Sequence, residues 1–233
     1  MSTESQPLQI LTDVIELSKS QCQFPIFGKL AYASDENFLG RIVDGYSADA
    51  DDICLLTKKT AHALCQVQND LNQQQLGLFI FDAYRPHRAV RDFAKWFNSP
   101  SSGDYELIRK ALHYPHLNKS DLALLGYVHG GISNHNFGNT VDLALISIKD
   151  CKLLDMGTIF DFFDDLSHYS ANIEQIGSVA CHNRLLLSKA MQQHNFAPYE
   201  KEYWHFSFYK REIETPMDLP ILAQYKNLNA KQA

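Results

Sequence analysis

No stretch of this chain approaches the roughly 20 consecutive apolar residues that a membrane-spanning helix requires. Basic residues are sparse and scattered, and RPHRAVR at 85–91 is the only dense run. With 21 Lys and Arg against 27 Asp and Glu, the chain carries a net charge of −6 and lacks the basic face of a nucleic-acid-binding protein. The five cysteines, Cys22, Cys54, Cys65, Cys151 and Cys181, are widely spaced and odd in number. They form no CxxC pair and no disulfide framework of the small secreted kind. The first thirty residues have neither a basic start nor an unbroken apolar run, so no signal peptide is expected and a cytoplasmic location follows. Internal repeats and low-complexity linkers are also missing.

What is present is ordinary globular composition, 45% hydrophobic and 21% charged over 233 residues. A chain of that length fits one domain, 1–233, and buries roughly 70–75% of its unfolded surface. Ala61, Leu64, Val67 and Leu71 recur at three- or four-residue spacing, which predicts a helix from Thr57 to about Leu71. LGLFIF (76–81) reads as a buried strand closed by DAYRP, because Pro86 ends sheet pairing. HRAVRDFAKWF (87–97) places Ala89, Val90, Phe93, Ala94 and Phe97 on one helical face. Residues 98–132, rich in Ser, Asn, Pro, Gly and His, predict a long irregular stretch with one short helix. A half-buried strand is expected at 140–146, a helix at 178–194 with Val179, Leu186 and Ala190 inward, and a last strand at 203–209. A polar tail closes the chain from about 226 to 233. Helices and strands do not alternate regularly, so the expected fold class is α+β, with an antiparallel or mixed central sheet flanked by helices.

The stretch SNHNFGNTVDLAL (133–145) holds the chemical puzzle, since Asp142 sits among the apolar residues of a strand. A buried carboxylate without compensation is costly, and a metal ion is one candidate for supplying it. His135 reaches the same ion as Asp142 if Gly138 folds the loop back, and His205 supplies a third ligand from a neighbouring strand. On YWHFSFY (203–209), alternation puts His205, Ser207 and Tyr209 on one face and Trp204, Phe206 and Phe208 on the other. Glu202, three residues before His205, is positioned to act as a general base only if the backbone there turns. Arg85, held by the strand end and Pro86, would stabilise an oxyanion. Singly, these pieces are common by chance, and a lone strand histidine is more often a hydrogen-bonded core residue.

Together, their order resembles the D-alanyl-D-alanine dipeptidases, the VanX type of zinc peptidase. Ser133, His135, Gly138 and Asp142 match the pattern S-x-H-x-x-G-x-x-x-D, EYWHF matches the motif E-W-W-H, and YRP at 84–86 matches the segment of the family's arginine. The similarity extends to YASDENFLGR (32–41), DMGTIFDFFDDLSH (155–168) and NRLLLSKAM (183–191), about residues 32–209 in all. The resemblance implies one zinc ion per chain on His135, Asp142 and His205, with Glu202 as base and Arg85 beside the oxyanion. It also implies that Tyr32 and Asp161 receive the ammonium of a small dipeptide, with Ser133 and Asn134 beside the substrate. The other reading of Asp161 is a charge at a helix N-terminus.

The chain departs from the family pattern at Thr140, at Tyr203 and at Asn134, where a second serine is common; Asn134 bears on substrate preference. His113, His116 and His129 read as loop residues rather than ligands, His168 and His182 as structural, and Cys181 as inert. The implied activity is hydrolysis of D-Ala-D-Ala or a close D,D-dipeptide. Two alternatives stay open: a D,D-carboxypeptidase or peptidoglycan-fragment peptidase, and a non-catalytic zinc-dependent peptide-binding module.

Overall fold

The structure, a computed structural model, describes residues 9–101, 103–128 and 130–226. The first named elements among the described residues are β1 (Leu11–Asp13), α1 (Val14–Gln21) and the short β2 (Phe27–Gly28). After two 3-10 turns come β3 (Leu55–Thr57), α2 (Lys58–Asn72), β4 (Leu76–Asp82) and α3 (His87–Asn98). Then follow α4 (Gly103–His113), α5 (Asp121–Leu124) and β5 (Thr140–Ser147). The last part contains α6 (Ile173–Ile176), α7 (Ser178–Gln193), β6 (Phe196–Tyr199) and β7 (Glu202–Phe208).

Five strands form a mixed sheet in the order β2-β4-β5-β7-β6; β2 runs parallel to β4 and the remaining pairs are antiparallel. A small antiparallel sheet joins β1 to β3. Helices α2 and α7 pack on one another and against the larger sheet. This is the α+β architecture expected. No helix among the described residues is long and apolar enough to cross a membrane.

Strand β5 lies at the centre, with every residue from Thr140 to Ile146 buried. Its alternation predicts one wet face, but a central strand covered on both sides has none. The register sets the site. Asp142 on β5 pairs directly with Asp82 on β4 and with His205 on β7, so three polar residues form a row across three neighbouring strands. A register shift between Ile80 and Asp82 precedes this row, and β4 ends at Asp82.

Three differences from expectation have local causes. Residues 98–132 hold an 11-residue helix, α4, because DYELIRKALH contains no breaker between Gly103 and Pro115. Strand β6 escapes notice in the sequence because Pro198 lies in it, a residue confined to edge strands such as this one. Val179 is 60% exposed rather than inward. The buried residues of α7 are Ala180, Asn183, Arg184, Leu187, Ser188, Ala190 and Met191, Ala190 inward as expected, and the three polar ones shift the apparent apolar phase. Arg184 is satisfied there by the carbonyls of Met156, Leu166 and His168. The segment 227–233 of the expected polar tail lies outside the described residues.

The turn before β5 depends on Gly138, which has φ +67° in the left-handed region and closes the 3-10 turn Asn134–Phe137. Its N–H donates to the His135 carbonyl at 3.1 Å and its carbonyl accepts from Thr57 N–H at 2.8 Å. A β-carbon would lie 3.0 Å from Leu11 Cδ2 and 3.3 Å from Thr57 Cγ2. Gly138→Ala should therefore lose about 1–3 kcal/mol of stability through the strained φ and the crowded contact, measured by urea denaturation against the parent.

Candidate active site

His135 on the 3-10 turn, Asp142 near the start of β5 and His205 in the middle of β7 converge, each offering one donor atom to a common point. His135 Nε2 lies 3.3 Å from Asp142 Oδ2 and 3.3 Å from His205 Nδ1, and His205 Nδ1 lies 3.0 Å from Asp142 Oδ1. Donor atoms about 2.0 Å from a tetrahedral ion are separated by about 3.3 Å, so the three atoms are spaced as metal ligands are. Asp142 Oδ1 is buried and makes no hydrogen bond among the described residues, despite its proximity to His205. A buried carboxylate with one oxygen orphaned and an imidazole nitrogen beside each of its oxygens fits a divalent cation.

The surroundings orient these donors. His135 Nδ1–H donates to the Ala83 carbonyl at 2.7 Å, which leaves Nε2 with its lone pair toward the site. The Ser133 hydroxyl accepts from His135 N–H, while Asn136 Oδ1 accepts from Ser133 N–H, a reciprocal cap on the turn. Asn136 also donates to the Arg85 carbonyl at 2.8 Å, tying the metal-binding turn to the arginine segment. Burial pushes His205 below its usual pKa in spite of Asp142, so its imidazole is neutral and able to ligate at neutral pH. Burial opposes ionisation of Asp142, but His135 and His205 outweigh it and hold the carboxyl well below the usual carboxylate range.

Glu202 and His205 meet as the chemistry demands. Consecutive β6 residues Pro198 and Tyr199 pair with Phe206 and Glu202, so Tyr203, Trp204 and His205 bulge out without β6 partners. That bulge resets the side-chain alternation, and Glu202 Oε2 comes within 3.6 Å of His205 Nδ1. Burial first, then the charges of Asp142 and Asp161, pushes the Glu202 carboxyl well above its usual pKa.

Arg85 is nearly enclosed, its guanidinium 5.0 Å from the Tyr32 ring and 5.2 Å from the Phe93 ring. Its Nε donates to Asp82 at 2.8 Å and its NH2 to Asp142 at 3.3 Å. Asp161 also lies in this cavity rather than at a helix start, since Asp164 caps the 3-10 turn that follows. It is buried, has φ +57°, and accepts from the Tyr32 hydroxyl at 2.9 Å. Burial and the nearby Asp142 push its carboxyl well above the ordinary range.

All nine residues singled out in the sequence line one cavity of about 160 Å³. That is below the 300–1,000 Å³ of drug-sized pockets and suits a small ligand. Among its described walls three carboxyl groups, those of Asp142, Asp161 and Glu202, face one permanent cation, Arg85. Gly126, Tyr127 and Val128 line one wall, which is bonded to the β6–β7 hairpin. Tyr199 donates to the Gly126 carbonyl at 2.9 Å, and Lys201 donates to the Leu125 carbonyl and sits over the Tyr127 ring.

Sequence reasoning missed three contributors. Asp82 is fully buried, accepts from Arg85 and from the Tyr46 hydroxyl at 2.7 Å, and lies 3.7 Å from His135 Nδ1. An acid ending an apolar strand is the same signal that marks Asp142, and DAYRP carries it; Tyr46 has no such signal. His113 is the buried last residue of α4 rather than a loop residue. Its Nδ1–H donates to the Asp161 carbonyl at 3.0 Å and its own carbonyl accepts from Phe163 N–H at 2.6 Å, so it clamps the Asp161 loop from both sides. His116 is exposed and pairs with Asp164, and His129 lies outside the described residues.

Comparison with known proteins gives a consistent picture. A family model described as D-ala-D-ala dipeptidase matches residues 22–222. The chain is 35% identical over 175 residues to a D-alanyl-D-alanine dipeptidase of Enterococcus faecalis, covering 75% of this chain and 82% of the relative. It is 35% identical over 191 residues to one from Streptomyces coelicolor, covering 82% and 90%. One from Escherichia coli is 29% identical over 214 residues, covering 91% and 92%.

The clamp on Asp161 has a pH signature. Burial, only partly offset by the hydrogen bond to Asp161, pushes His113 down to about 4 from 6.5. The unfolded chain then binds the extra proton first, so this group's stabilisation is complete above pH 6.5 and is lost as pH falls toward 4. At most about 3 kcal/mol follows from the shift. His113→Gln should flatten that part of the acid limb when urea midpoints of parent and variant are compared between pH 7 and 4.

Proposed function

The chain belongs to the D-ala-D-ala dipeptidase family, and from that premise we propose that it is a zinc-dependent enzyme splitting D-Ala-D-Ala, or a closely related D,D-dipeptide, into free amino acids. We read residues 1–233 as one peptidase domain that works in the cytoplasm, in keeping with an odd set of free cysteines. The observation that carries the chemistry is the convergence of His135, Asp142 and His205 within reach of Glu202 and Arg85.

In this reading His135 Nε2, Asp142 and His205 Nδ1 hold one zinc ion per chain. When bound, zinc supplies Lewis acidity that polarises the scissile carbonyl and makes the attacking water more acidic. Glu202 takes the proton of that water and later delivers it to the leaving amine; a carboxyl kept from early ionisation by burial is suited to carrying a proton. Arg85 has two N–H groups engaged by Asp82 and Asp142 and retains others for the oxygen on which negative charge develops.

Asp161 and Tyr32 receive the free ammonium, which neutralises a buried carboxylate and fixes the distance from chain start to scissile bond. Ser133 and Asn134 line the remaining wall. That closed, acidic end favours a dipeptidase over a carboxypeptidase, because an N-acyl group brings no charge to Asp161.

Purified zinc-loaded protein should release D-alanine from D-Ala-D-Ala, and a chelator should abolish the release. Glu202→Ala should retain zinc while kcat falls by a factor of about 10² or more. His205→Ala should lose both zinc and turnover. Retained turnover in Glu202→Ala would remove Glu202 from the base role. Rapid cleavage of N-acetyl-D-Ala-D-Ala would move the assignment to a carboxypeptidase.

A further inference from the structure

We propose that Arg211, hydrogen-bonded to the cavity-lining Asn134, receives the C-terminal carboxylate of the substrate, an inference that rests on the dipeptidase reading. A free dipeptide brings two charges into a small cavity. Asp161 and Tyr32 account for the ammonium. For the carboxylate, the described walls hold only Arg85, whose charge is already shared between Asp82 and Asp142. A second cation is needed close to the metal-binding turn, because the carboxylate lies only about one residue, 3.8 Å, beyond the scissile bond.

Arg211 meets that need. Asn134 lines the cavity one residue before His135, and its Oδ1 accepts from Arg211 NH2 at 2.5 Å. Arg211 Cζ also lies 4.1 Å from the Phe137 ring. Asn134 and Phe137 sit three residues apart on the turn that carries His135, so the guanidinium is held on two sides beside a metal ligand. The acid next to it in sequence, Glu212, is engaged elsewhere, accepting from Lys59 N–H at 2.9 Å and pairing with its ammonium at 3.4 Å. Arg211 thus has no carboxylate partner among the described residues, although Asn134 and Phe137 both contact it. A guanidinium with its fork held and most donors free is the group best shaped to take a carboxylate in bidentate fashion.

The proposal also gives Asn134 a purpose. Where the family commonly has serine, an amide is longer than a hydroxymethyl group and reaches the guanidinium from the cavity wall. Asn134 then acts as a positioning residue for Arg211.

The test compares D-Ala-D-Ala with its C-terminal amide as substrates for the zinc-loaded parent, Arg211→Gln and Arg211→Lys. Arg211 is exposed, so neither substitution disturbs the core. The parent should prefer the acid. Arg211→Gln should lower the acid-to-amide ratio of kcat/KM about tenfold, through a higher KM for the acid, and Arg211→Lys should restore part of it. A merely structural arginine would leave the ratio unchanged, and an unchanged ratio overturns the proposal while the dipeptidase reading stands. A parent that releases no D-alanine from D-Ala-D-Ala overturns that reading and this inference with it.

Discussion

A carboxylate on a central strand, sealed from water, dictates what must surround it. Asp142 is such a group, and Asp82 stands directly beside it on β4. Two like charges side by side in a low-dielectric interior are mutually destabilising, so each needs compensation nearby. Arg85 bridges the pair from one side, and its enclosure by Tyr32 and Phe93 leaves it no other partner of comparable strength. From the other side come the two imidazoles. The proposed dication completes the balance, and the fold looks built to keep that point supplied with ligands rather than with water.

The parts of this arrangement that local pattern encodes were legible in the sequence. The helices at 58–72 and 87–98 and the strands at 76–82, 140–147 and 202–208 fall within a residue or so of expectation, because period and breakers define them locally. Every residue nominated for the site lines the same cavity. What escaped depends on tertiary register. Asp82 matters because β4 and β5 align it with Asp142, and His113 because α4 ends against the Asp161 loop. Arg184 misled the reading of α7, since a buried arginine bonded to three carbonyls looks, in sequence, like a solvent face.

Rigidity is distributed unevenly among the parts. The metal-binding atoms stand on two paired strands and a capped turn, whose hydrogen bonds reach β3 and the arginine segment. Glu202 instead stands on a hairpin bonded to the Gly126 segment through Tyr199 and Lys201. The same hairpin thus carries both the base and the contacts to one wall of the cavity.

Asp161 illustrates how narrowly a position can be specified. Its backbone occupies the left-handed region, which among residues with a side chain asparagine and aspartate tolerate best. The proposed task at its carboxylate is to face an ammonium, which requires a negative charge and admits aspartate or glutamate. The two sets share one member. Glycine would relax the chain and remove the charge, asparagine would keep the shape and lose the charge, and glutamate would keep the charge at the cost of backbone strain and one methylene too many. A residue that looks like one of several interchangeable acids in FDFFDD is therefore the one whose identity the fold and the chemistry fix jointly.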